Sequence, residues 1–167
     1  MKQEDLSKIT IEPEKLEAIK ASAETYYKEI GEVYCPYLKE NVVFNAHGIE
    51  HLKFKSRNKA RSTTDQYVRL KLLKLASVII QKSHTLQEKY ETKHFERMKI
   101  GKKWETKMIE VTYYTFIAII NEARMKVVVK QISDGSKFFW SLVPFWRADR
   151  KNSGTKKIFH SGNPEED

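Results

Sequence analysis

The stretch Glu110-Val111-Thr112-Tyr113-Tyr114-Thr115-Phe116-Ile117-Ala118-Ile119-Ile120-Asn121 decides how the chain is read. Nearly every residue is β-branched or aromatic, the side chains that fit a pleated, half-buried surface, so it predicts a strand. A short turn over residues 121–124 leads into a second such run, with Lys126, Val127, Val128, Val129 and Ile132. Asp134-Gly135 then supplies hairpin chemistry, and Phe138 to Val143 predicts a last strand closed by Pro144. Strands joined by such short turns pair antiparallel.

Upstream of this run the pattern loosens and then changes period. Residues 85–98, with Leu86 and Tyr90 in an otherwise polar stretch, predict a long edge strand or ribbon, and Lys99 to Lys107 a basic loop around Gly101. Leu16, Ile19, Ala23, Tyr26, Tyr27 and Ile30 recur at three- and four-residue steps and predict a helix from Glu14 to about Ile30. Pro13 suits its first turn and Gly31 its end. A more apolar helix, with Tyr67, Leu70, Leu72, Leu73, Leu75, Ala76, Ile79 and Ile80, runs from a cap at Thr63 or Thr64 to about Lys82. Val42-Val43-Phe44 is a short strand-like run. Helices first and hairpin-joined strands afterwards predict an α+β fold, with N-terminal helices packed on a roughly four-stranded antiparallel β-meander. No β-α-β rhythm is present, which argues against a doubly wound nucleotide-binding fold. The expected organisation is a flexible arm over 1–12, one domain over 13–147, and a disordered tail over 148–167.

The 167 residues favour one domain. Cys35 is the sole cysteine, so no internal disulfide can form and a reducing compartment is the simpler setting. No run of 18 apolar residues is present, and Met1-Lys2-Gln3-Glu4-Asp5 lacks an apolar signal core, so a cytoplasmic protein without a membrane partner is expected. Thirty-one Lys and Arg against 22 Asp and Glu give a net charge of +9. Such an excess attracts polyanions through counterion release. An anionic membrane surface, or a solubility charge without a partner, would account for the same total.

The charge is patterned. His51, Lys53, Lys55, Arg57, Lys59 and Arg61 occupy every second position. On an extended chain these six would share one side at a spacing of about 6.6–6.8 Å and could track a phosphodiester backbone. On a helix they would scatter, leaving a solvated charged segment. His47-Gly48-Ile49-Glu50-His51 matches the zinc-peptidase pattern HxxEH, with both histidines as ligands and Glu50 as base. Gly48 weakens the helix that pattern needs, and the basic row that follows repels a metal cation. An RNA-cleaving site fits the same residues without a metal or other cofactor. It needs a base for the 2′-hydroxyl, an acid for the leaving oxygen and cations for the phosphorane. His47 or His51 beside Lys53, Arg57 and Arg61 supplies that set, or else they are surface histidines without a role. On the meander, Lys126 and Lys130 alternate onto one face, Thr112, Tyr114, Thr115 and Ser141 offer hydroxyls, and Trp140, Phe138 and Phe139 could stack bases if exposed, though aromatics on a last strand usually pack in the core. His94 is a second acid–base candidate if the 85–98 ribbon folds over the sheet.

Three stretches together suggest a family. Asn45-Ala46-His47-Gly48-Ile49-Glu50-His51, Tyr113-Tyr114-Thr115-Phe116-Ile117-Ala118-Ile119 and Lys137-Phe138-Phe139-Trp140-Ser141-Leu142-Val143-Pro144-Phe145 resemble the phage-type branch of the barnase–EndoU–colicin–RelE-like nuclease superfamily. The resemblance spans roughly residues 40–147. It implies one or two helices followed by a four-stranded antiparallel sheet, and metal-independent RNA cleavage by a toxin or mobile-element effector, with an antitoxin or immunity protein as a possible partner. By position it places His51 or His47, Arg57 or Arg61, Lys130 and Ser141 in the catalytic groove. Lys53, Lys55, Lys59, Lys126 and Trp140 are the expected nucleic-acid contacts. The competing classes are a non-catalytic basic nucleic-acid-binding module and a zinc hydrolase built on HxxEH.

Overall fold

A computed structural model describes residues 11–56, 58–120, 123–149, 154–157 and 163–167. The first helix, α1, spans Pro13–Ile30 with its proline in the first turn, buries Leu16, Ala23 and Tyr27, and ends at Gly31, whose φ of 62° suits a residue without Cβ. A hairpin follows, β1 (Glu32–Cys35) and β2 (Glu40–Val43). Next come a two-turn helix, α2 (Ala46–Lys53), and a small ribbon, β3 (Phe54–Ser56) with β4 (Lys59–Ala60). The long helix α3 covers Thr63–Lys82, and its cap is Ser62, one residue before the expected threonines; the Ser62 hydroxyl accepts from the Asp65 N–H at 3.2 Å.

The remaining strands are β5 (Glu88–Ile100), β6 (Lys103–Ile120), β7 (Ala123–Ile132), β8 (Phe138–Asp149) and β9 (Gly154–Lys157). Together with β1 and β2 they build one sheet in the order β1-β2-β8-β7-β6-β5, with β9 added on β8. The fold is therefore α+β, with three helices and a mostly antiparallel, mixed sheet. It is larger than the four-stranded meander expected: β5 to β8 pair in sequence order, and β1, β2 and β9 extend them. The strand β2 joins β8 in parallel, at Val43↔Phe138.

Three local expectations change. Residues 99–107 are not a loop: β5 and β6 pair up to Ile100↔Lys103, and Gly101 at φ 60° makes the tight turn between them. Pro144 does not close β8. It pairs with Met125 beside a register shift, the irregularity that tolerates a residue without an N–H. Within the stretch expected as a disordered tail, β9 pairs with β8 and Asp167 is buried, while Asn163, Glu165 and Glu166 stay exposed. The expected arm lies largely outside the described residues. No helix among the described residues is long and apolar enough to cross a membrane.

The main core lies between helices and sheet. Leu70, Leu73, Ala76 and Ile80 of α3 meet Phe116, Val127, Val129, Phe139 and Leu142. Phe44 stacks on Phe139, with ring centroids 4.9 Å apart and planes within 5°, and Tyr27 packs edge-on to Phe44. Because strand side chains alternate, Lys126, Val128 and Lys130 take the opposite face of β7 from Val127 and Val129. Val128 there joins Ile109, Val111 and Tyr113 in a smaller apolar cluster.

Candidate anion-binding site

The site begins with α2. The Asn45 side chain caps it by accepting from the His47 N–H at 3.1 Å. Gly48 then lets it settle flush on β8: a Cβ at that position would come within 2.4 Å of the Phe139 carbonyl oxygen. Glycine weakens a helix in isolation, yet here it permits the close approach that docks one. His51 follows three residues later on the same buried face. Its ring stacks on Trp140, with centroids 3.9 Å apart and planes inclined by 18°.

A bulge in β8 brings two adjacent side chains to this place. Val128 pairs with Ser141 and Val129 with Phe139, so Trp140 is the extra residue. Trp140 meets His51, and Ser141 meets Arg69 at 2.9 Å from its Nη1.

Arg61 and Arg69 come from the entry and second turn of α3, with Asp65 between them. Asp65 accepts from Arg61 Nη1 at 3.4 Å and from Arg69 Nε, and all three side chains are buried. Arg61 also donates from Nε to the His51 carbonyl oxygen at 2.8 Å and lies 3.0 Å from His51 Nε2. From β7, Lys126 and Lys130 complete the cluster. Lys130 Nζ lies 3.8 Å from the Trp140 ring centroid.

The chain's own residues 163–167 fill the centre. Glu166 and Asp167 donate backbone N–H groups to the Asn163 carbonyl, and the Asn163 side chain accepts from the Glu165 N–H, forming a tight turn. Asp167 pairs its carboxylate with Lys126 at 3.0 Å, and its carbonyl oxygen accepts from Ser141 Oγ at 2.5 Å and from Arg69. The Glu166 carbonyl accepts from Arg61 at 2.8 Å, and the Pro164 carbonyl from Trp140 Nε1 at 3.1 Å. Glu165 pairs with Lys130 through both oxygens, at 3.1 and 3.0 Å. An open cavity of about 320 Å³ lies beside Glu165, lined also by Tyr90, Thr92, His94, Tyr113 and Asn163.

Four cations thus face three carboxylates in a largely buried space. Burial, aided by Arg61, Arg69 and Lys130, pushes the His51 pKa down to about 2. Burial lowers Lys130 to about 8 and Arg61 to about 10. Such shifts concentrate where charge is held for a purpose, though structural ion networks also produce them. The arrangement can hold anionic oxygens at two neighbouring points, one by Arg61, Arg69, Lys126 and Ser141, the other by Lys130.

Of the residues singled out from the sequence, His51, Arg61, Lys126, Lys130, Trp140 and Ser141 come together here. His47 does not: it is exposed, with its ring 5.8 Å from Phe138. The six-residue cationic row does not form on one face, because the Asn45 cap and the Gly48 contact make residues 46–53 helical. Lys53 instead pairs with Glu24 and Glu50, at 3.0 and 2.8 Å. Lys55 and Lys59 lie on the β3–β4 ribbon, and Arg57 lies outside the described residues. The HxxEH helix forms, but His51 Nε2 faces a guanidinium, and among the described residues no three His, Cys, Asp or Glu are grouped to hold a metal ion. His94, opposite Ile109 in the β5–β6 pairing, lines the cavity beside Glu165. Asp65, Arg69 and the acidic segment were missed. Asp65 and Arg69 stand one helical turn apart on a buried face, which was the available signal.

No protein-family model, curated protein or solved structure matches this chain.

Proposed function

We propose that the chain is a metal-independent endoribonuclease of RelE- and barnase-like architecture, toxin-like or carried by a mobile element and acting in the cytoplasm. The observation that carries this reading is the convergence of Arg61, Arg69, Lys126, Lys130 and Ser141 on bound carboxylate and carbonyl oxygens. The same donors suit a phosphodiester, whose charge grows as a phosphorane forms. In this reading the 2′-oxygen attacks the adjacent phosphorus, the bond to the 5′-oxygen breaks, and a 2′,3′-cyclic phosphate remains. Lys130 takes the 2′-hydroxyl proton, since burial brings its amine close to neutrality, and the departing 5′-oxygen is protonated from solvent. Arg61, Arg69, Lys126 and Ser141 hold the phosphoryl oxygens. The cavity with Tyr90 and Tyr113 offers rings for a neighbouring base. An acidic antitoxin or immunity protein is the protein partner that the charge admits.

One observation favours a second reading, a basic RNA-binding module without catalysis: His51 is already engaged through Nε2 by Arg61. The test is total RNA incubated with the purified chain in EDTA. Fragments with 2′,3′-cyclic ends, absent with Lys130→Gln, support the nuclease. Intact RNA with steeply salt-dependent binding leaves the binding module. Cleavage that appears only when zinc is added restores the hydrolase reading.

A further inference from the structure

We infer that residues 163–167 are an internal competitor for the anion site, and that a polyanionic ligand enters only when this segment leaves. The inference rests on the phosphate reading of the site and adds its regulation. Three observations carry it. Five of the groups that hold the segment are ones a phosphate would use: Lys126 on the Asp167 carboxylate, Lys130 on the Glu165 carboxylate, and Arg61, Arg69 and Ser141 on main-chain oxygens. The segment is preorganised, because the Asn163 side chain and carbonyl tie the turn that presents those oxygens. It belongs to no strand of the sheet, so it is seated by its own contacts with the site and not by a sheet register.

The grip is uneven. Asp167 is 1% exposed, while the Glu165 side chain is 51% exposed beside the cavity. A ligand arriving through the cavity meets Glu165 first. Its first anionic group displaces that carboxylate from Lys130, and the next takes the place of Asp167. Two neighbouring anions are the ligand class that matches two such points, as in consecutive phosphates of a single strand.

The test uses full-length wild type, Asp167→Asn and Asn163→Ala, each checked for folding. Sulfate binding is measured by calorimetry and binding of a short 2′-O-methyl RNA by anisotropy, at one salt concentration. If closure occupies roughly nine molecules in ten, Asp167→Asn binds both probes about tenfold more tightly, and Asn163→Ala falls between. Adding the oligonucleotide to wild type should also speed amide exchange at Glu166 and Asp167. Tighter sulfate binding without RNA binding keeps the internal competitor and removes the RNA reading. Equal sulfate affinity in all folded proteins overturns the inference. Should Asp167→Asn fail to fold because Lys126 loses its partner, Asn163→Ala decides alone, since it leaves every carboxylate in place.

Discussion

His51 lies flat on Trp140 while its Nε2 sits 3.0 Å from the Nη2 of Arg61. A guanidinium only donates, so this nitrogen is the unprotonated one and the ring is neutral, with its hydrogen on Nδ1. Charging it would set a cation among Arg61, Arg69 and Lys130, which is why its pKa falls to about 2. The ring is thereby removed from the range in which histidine ordinarily exchanges protons. It acts as a positioning residue, fixing the indole and aiming Arg61.

The pH–rate profile of cleavage should therefore carry no limb near histidine's usual value of about 6.5. The base must be unprotonated, so the rate should rise with pH and level off above about 8, the value to which burial lowers Lys130. His51→Phe keeps an aromatic stack but loses the acceptor. It should slow cleavage and leave the limb in place, whereas Lys130→Gln should abolish it. A limb near 6.5 that disappears in His51→Phe would return the proton-transfer role to His51.

Asp65 joins Arg61 and Arg69 where none of the three meets bulk water. Removing one partner of such a cluster strands buried charge, at a cost of about 3–5 kcal/mol. Asp65→Asn should lower the free energy of unfolding in urea by that order. A loss below about 1 kcal/mol, the usual value of an exposed pair, would show that the arginines find other partners.

Gly48→Ala is a packing test. Its Cβ would meet the Phe139 carbonyl and the Tyr27 hydroxyl, each at 2.4 Å, closer than any van der Waals contact. Overpacking of this kind costs about 1–3 kcal/mol. Helix propensity alone favours alanine by up to about 1 kcal/mol, so the sign of the change in unfolding free energy separates the two effects. The fluorescence of Trp140, stacked one helical turn away on His51, should shift with it.

Periodicity made α1, α3 and the strands β6 to β8 legible, because each buries one face and repeats at its own step. It did not reveal that β1 and β2 join the sheet through Val43↔Phe138, since a single parallel pairing leaves no local pattern. Lys126, Lys130 and Ser141 could be placed on the sheet by alternation, but the bulge that turns Trp140 and Ser141 toward one site is a tertiary feature. The basic row misled for a definite reason: its two-residue step has meaning only in a strand, and Asn45 and Gly48 make its start a helix. Pro164-Glu165-Glu166-Asp167 reads as a polar tail because burial of such residues depends wholly on distant cations. Arg61 and Arg69 supply these from about a hundred residues away in sequence.

Glu165 makes closure of the site sensitive to pH. Burial pushes its carboxyl up to about 7, with Glu96 adding repulsion, while a released segment regains the ordinary 4.5. The closed form therefore holds the proton more tightly. Closure is most favoured below about 4.5 and loses support as pH rises toward 7. Half of the side chain remains in water, which screens the effect and keeps it modest. Of the other groups around Glu165, Lys130 stays charged through this window, since its own pKa is lowered only to about 8. His94 and Tyr113 line the same cavity, and Asp167 is held by Lys126. Sulfate, with a fixed charge over this range, should bind wild type more tightly as pH rises from about 5 to about 7.5. Glu165→Gln should flatten the rise. A wild-type affinity that falls with pH, or a variant that keeps the rise, removes Glu165 as the titrating group.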